Sequence, residues 1–190
     1  MLKRIGAEEG GEFKAVASGT LPSGKPVVVN ADGSVSVIEE TDVSQAVGTP
    51  SVFESASAIK VSATYDASAQ KVVIVYRDGN NSNYGTAIVG TVSGTSISFG
   101  TAVVFESDTT DVPAATYDAN AQKVVIAYQD AGNASRGTAI VGTVSGTSIS
   151  FGTAAVFETG SVNYISATYD SSAQKVVIAY MDGGNSDKGT

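Results

Sequence analysis

The residues of this sequence best suited to chemistry are three Asp–Asn pairs: Asp78 with Asn81, Asp130 with Asn133, and Asp182 with Asn185. Each pair is separated by three residues and displaced from the next by 52. Carboxylate and carboxamide oxygens are hard ligands that suit Ca²⁺. The pattern has neither the regular Asp spacing nor the distal bidentate Glu of a strong calcium loop. The expected role is therefore turn capping, in which Asp and Asn bond their own backbone; weak calcium sites are the alternative. Asn80, Asn83, Tyr84, Arg136 and Asp187 lie in the same segments and complete a candidate binding rim.

Other chemistry has little to work with. The sequence holds no His and no Cys, which removes the usual general base, the commonest neutral metal ligand and any thiolate. Carboxylate and Tyr are left for acid and base work. The Tyr65-Asp66 pair and its copies read as a core aromatic followed by a turn-initiating Asp. Gly90-Thr91-Val92-Ser93-Gly94 is glycine-rich, but neither a Lys nor a helix follows it, so it is no phosphate loop. No catalytic, cofactor-binding or metal-holding residue is expected, and the chain is not expected to be an enzyme.

Charge narrows the partners. Eleven basic against 19 acidic residues give a net charge of -8, which opposes counterion release at a phosphate backbone, so nucleic acid is not an expected partner. No apolar run reaches the length of a signal peptide or a membrane span, so no membrane insertion is expected.

The elements that must position these residues are repeats. Ala69-Gln70-Lys71-Val72-Val73-Ile74 recurs from Ala121 and from Ala173, and the same offset of 52 carries Phe53 onto Phe105 and Phe157. With Gly48, Gly100 and Gly152 as equivalent starts, the copies run 48–99, 100–151 and 152–190, the third incomplete. A fixed period of this length with β-type segments inside marks an array whose units bury their apolar faces on one another. Each copy is expected to contribute four antiparallel strands, at about 60–65, 71–76 and 86–92, and from Ile97 through Phe99 toward Phe105, with a bend at Gly100. Residues 1–47 lie outside the repeat and form a small separate β module: strands at 13–17, 25–30 and 34–38, a turn region at 19–24, and an Asp32-Gly33 hairpin signal. Pro26 suits a strand start or edge. The fold class is all-β, a small N-terminal β module followed by 52-residue four-stranded antiparallel repeats, propeller-like.

Residues 85–102 are identical to 137–154, whereas two windows diverge between copies. One is 77–84 with 129–136 and 181–188, the loop between the second and third strands. The other is 55–62 with 107–114 and 159–166, the segment joining one unit to the next. In an up-and-down meander both project from one end of the sheet, and the near-invariant turns at 66–70 and 93–96 lie at the other. Divergence confined to one rim suits a surface that meets a partner; greater tolerance of long loops to change is the more ordinary explanation.

Two resemblances can be drawn. Ser62-Ala63-Thr64-Tyr65-Asp66, Lys71-Val72-Val73-Ile74-Val75-Tyr76-Arg77-Asp78-Gly79 and Val92-Ser93-Gly94-Thr95-Ser96-Ile97-Ser98-Phe99-Gly100 are similar to blades of sialidase-like propellers. The turn here lacks that family's Asp, Phe99 or Phe151 stands in place of its Trp, and Arg4, Arg77 and Arg136 are the only arginines, so no catalysis carries over. The second resemblance is to repeat-bearing structural proteins of tailed bacteriophages. It rests on the repeat segment Gly85-Thr86-Ala87-Ile88-Val89-Gly90-Thr91-Val92-Ser93-Gly94-Thr95-Ser96-Ile97-Ser98-Phe99-Gly100 and on Ala17-Ser18-Gly19-Thr20-Leu21-Pro22-Ser23-Gly24-Lys25-Pro26-Val27-Val28-Val29-Asn30-Ala31-Asp32-Gly33. It implies a virion location and a tail fibre or similar appendage, with residues 1–47 attached to other virion proteins and the repeats facing outward toward a host surface, where a glycan is a candidate partner. The third copy breaks off mid-pattern, and an unpaired edge is an aggregation liability. The expectation is a longer polypeptide or a homo-oligomer in which another chain covers that edge. The alternative function is a carbohydrate-binding or sialidase-like hydrolase propeller.

Overall fold

The computed structural model describes residues 16, 17, 20, 27–37 and 47–190. The chain divides into two compact units, Met1–Ala46 and Val47–Thr190. In the first, β1 (Val16–Ala17), β2 (Val27–Val29) and β3 (Ser34–Val37) form a three-stranded sheet in the order β1-β3-β2. β2 and β3 are the expected antiparallel hairpin, and β1 pairs with β3 in parallel. The turn between β2 and β3 is set by Asp32, whose Oδ1 accepts from the Ser34 N–H at 2.9 Å, and by Gly33 at φ 79°. Most of the strand expected at 13–17, Pro26 and nearly all of the 19–24 turn region lie outside the described residues.

The second unit is all-β. Its strands are β4 (Ala58–Asp66), β5 (Lys71–Asp78), β6 (Tyr84–Ser93), β7 (Ser96–Phe99), β8 (Val103–Asp118), β9 (Lys123–Asp130), β10 (Arg136–Ser145), β11 (Ser148–Phe151), β12 (Ala155–Asp170), β13 (Lys175–Asp182) and β14 (Lys188–Gly189). They join in one antiparallel path, β14-β13-β12-β10-β9-β8-β6-β5-β4, with β7 on β6 and β11 on β10. Among the described residues the sheet is open and closes no propeller. The β-branched run of each central strand favours extended backbone, and Tyr65↔Val72 and Val72↔Gly90 fix the meander's register.

The fourth strand of repeats 1 and 2 is interrupted by three residues, as the bend at Gly100 suggested. β7 pairs with the far half of β6, and β8 begins on the near half. The segments 107–114 and 159–166, expected as connections, are instead continuous strand. β8 and β12 each run 16 residues, leaving one sheet and entering the next. Each does so through a bulge, at Asp111/Ala114 and at Asn163/Ser166, and β4 carries the same irregularity at Ile59/Ser62. A bulge adds one residue and sharpens the local twist, so the strand can change sheets without leaving extended geometry.

Each repeat sheet has two apolar faces. Val73, Val75, Ala87 and Val89 share face A of repeat 1, and Tyr65, Val72, Ile74, Tyr76 and Phe99 share face B. The core forms where face A of repeat 1 meets face B of repeat 2, represented by Val124, Ile126, Tyr128, Ile140 and Ile149. Identical sequences are therefore buried differently according to their place in the stack. Val73 is fully buried, whereas Val177 at the same position of repeat 3 is 49% exposed.

Candidate functional site

Both variable windows come together at one end of the sheets. The Gly79 N–H donates to the Ser57 carbonyl at 2.8 Å, the Thr110 N–H to the Asn83 carbonyl at 3.0 Å, and the Val162 N–H to the Ser135 carbonyl at 3.1 Å. Arg77 also reaches Asp111 of the next repeat at 3.5 Å.

The Asp series caps turns at this rim. Asp78 Oδ1 accepts from the N–H groups of Asn80 and Asn81, both at 3.1 Å. Asp130 and Asp182 each accept at 3.1 Å, from Asn133 N–H and Asn185 N–H, at the head of one-turn 3-10 helices Ala131–Asn133 and Gly183–Asn185. Asp130 and Asp182 are buried, and the Oδ1 of each serves the turn. Asn133 Oδ1 also accepts from Arg136 Nη1 at 3.1 Å, which gathers Asp130, Asn133 and Arg136 into one network. Asn83 and Tyr84 are half-buried against the neighbouring window, whereas Asn80, Asn81, Asn185 and Asp187 face solvent. Among the described residues no group of three or more acidic side chains is placed to hold a metal ion.

A cleft of about 210 Å³ was not anticipated from the sequence. Lys60, Val61, Val112, Pro113, Tyr164 and Ile165 line it. These are matching positions of the three first strands. Lys60, Val112 and Tyr164 are the bulge residues, at φ 54°, 41° and 52°. The signal was present as divergence at the 52-residue spacing, but none of the three residues suggests a left-handed backbone. At the opposite end a wider cleft of about 570 Å³ lies between the near-invariant turns of repeats 1 and 2, with Asp66, Lys71 and Lys123 on its walls.

A second set of titratable groups recurs inside the stack. Tyr76 Oη donates to Glu54 at 3.2 Å, Tyr128 to Glu106 at 2.9 Å and Tyr180 to Glu158 at 3.2 Å. Burial, then the Glu54 charge, pushes the Tyr76 phenol well above its usual range. Burial, then the hydrogen bond to Glu106, does the same for Tyr128. Glu158 is held below the ordinary carboxylate range, first by the Gly160 N–H and then by Tyr180. A tyrosine nucleophile of the sialidase kind needs the opposite shift; these hydrogen bonds tie each central strand to the segment that precedes its repeat sheet.

Fold and rim together define an all-β repeat array that carries its variation at one end. No family model matches the chain. No curated protein and no solved structure matches it either.

Proposed function

We propose that the chain is a non-enzymatic structural protein of a bacteriophage virion. It is an appendage attached through residues 1–47, with its repeats directed outward as propeller-type blades and the variable rim turned toward the host surface. The observation that carries this reading is the split character of each repeat. At the rim one backbone, left-handed residues included, holds unrelated side chains in successive copies. Away from it, 85–102 and 137–154 are identical. A catalytic site needs one unique set of groups in one place, whereas an array that displays contacts keeps its scaffold and varies its loops.

Two further features support it. Residues Met1–Ala46 form a unit of their own, as an attachment module would. Face-to-face stacking of successive sheets, with first strands meeting around a cleft, suits blades. The solvent-facing carboxamides of Asn80, Asn81 and Asn185 both donate and accept hydrogen bonds, which suits a host glycan. Electron cryomicroscopy of the particles with which the protein purifies is the test. Density for the β1–β3 module against a head or tail protein is expected; a protein recovered free of any particle overturns the reading.

A further inference from the structure

The strongest unexplained feature of the molecule is a pair of sheet faces that, among the described residues, are left wholly or partly uncovered. Face B of repeat 1 leaves Tyr65 55% exposed, whereas its counterpart Tyr117 in repeat 2 is half-buried. Face A of repeat 3 leaves Val177 49% exposed and Ala179 open, whereas Val73 and Val75 in repeat 1 are fully buried. Each face is the one that the chain elsewhere covers with the other.

We propose that a second copy of this chain occupies each face, with face A of repeat 3 in one copy seated on face B of repeat 1 in the next. The template is the junction of repeats 1 and 2. There the Ala115 N–H donates to Ser62 Oγ at 3.2 Å, and the Ser68 N–H donates to Tyr117 Oη at 3.2 Å. The uncovered faces carry the same set: Ser166 and Ser172 on repeat 3 match Ser62 and Ser68, and Ala63 and Tyr65 on repeat 1 match Ala115 and Tyr117. The half-buried apolar partners on face B are also repeated within the chain, Val72 and Ile74 matching the fully buried Val124 and Ile126. Repeat 2 departs from the set, with Ala114 and Asn120 where repeats 1 and 3 have Ser. The outer faces thus reproduce the first internal junction more closely than the second one does.

Because the two faces differ, the contact is heterologous, and repetition gives a ring or an open stack rather than a face-to-same-face dimer. The proposal rests on the fold alone and stands apart from the virion reading.

Mass photometry and sedimentation of the 190-residue chain test it. Concentration-dependent assembly is expected for the unaltered protein. Val177→Glu and Tyr65→Glu, both on exposed positions, are each expected to be monomeric, with circular dichroism unchanged. Mixed in equal amounts they restore one good junction, so a one-to-one dimer and nothing larger is expected. An unaltered chain that stays monomeric at every concentration overturns the proposal and leaves the faces to another occupant. A single variant that assembles as the unaltered chain does, or a mixture that stays monomeric, overturns it as well.

Discussion

The ring of Phe105 stands edge-on to that of Tyr128, with centroids 5.3 Å apart and planes at 62°. Phe105 belongs to the strand that leaves repeat 1, and Tyr128 to the central strand of repeat 2. The same pair recurs as Phe53 with Tyr76 and Phe157 with Tyr180, both at 5.3 Å. Phe105 and Phe157 therefore sit where one sheet covers the next. Both lie over a glycine: a Cβ on Gly85 would come within 2.5 Å of the Phe105 ring, and one on Gly137 within 2.5 Å of Phe157.

Phe105→Ala is expected to cost about 3–5 kcal/mol, since a large buried ring leaves a cavity between two stiff sheets. Phe157→Ala at the more open junction should cost less. Urea unfolding of both variants measures the difference. Equal losses would mean that the stack does not set the energetics of these positions.

The period, the strand pattern and the turn caps were legible because each rests on local signals: β-branched runs, Asp before a polar turn, and recurrence at 52 residues. The strand expected at 71–76 is β5, central between β4 and β6. Two things were not legible. Lys60, Val112 and Tyr164 take left-handed backbone that no sequence rule assigns to those types. Burial at Val73 and Val177 differs although both lie in the same Lys-Val-Val-Ile sequence, because a neighbouring sheet decides it. Among the rim residues, Asp130 and Asp182 were indistinguishable by sequence from groups open to a partner, and burial separates them.

Alkaline titration should proceed in two stages. The raised folded pKa of Tyr76 and Tyr128 means that both keep their protons where unfolded tyrosine loses its own, above a pKa of about 10. The unfolded state then binds fewer protons than the folded one, so stability falls as pH rises past that value. It is fully present below. Tyrosinate absorbance is expected to complete only with loss of the sheet circular dichroism, when Tyr76 and Tyr128 leave their buried sites. One smooth titration of all eight tyrosines in folded protein would contradict the buried Tyr–Glu pairs.

One oxygen of each rim Asp, Oδ1, is committed to backbone N–H groups, and saturating Ca²⁺ and excess chelator are expected to give the same melting temperature. Asp130→Ala, by contrast, should destabilise by about 1 kcal/mol through loss of the bond from Asn133 N–H at 3.1 Å. Differential scanning calorimetry checks both. A Ca²⁺-dependent rise in melting temperature that Asp130→Ala abolishes would assign the series to metal binding instead.

Val112 holds a β-branched side chain at φ 41°, a conformation that costs an ordinary residue about 1–2 kcal/mol. Asn tolerates it better. Val112→Asn should therefore gain on the order of 0.5–1 kcal/mol, less than the full penalty, because Val112 is half-buried in the cleft. Chemical denaturation gives the sign, and a loss above about 1 kcal/mol would show that apolar contact outweighs backbone strain there. Lys60 and Tyr164 occupy the same left-handed bulge with unrelated side chains, so the bulge is not set by the residue it carries. That separation of backbone from side chain makes the cleft a place where this fold can change its surface chemistry without rebuilding its scaffold.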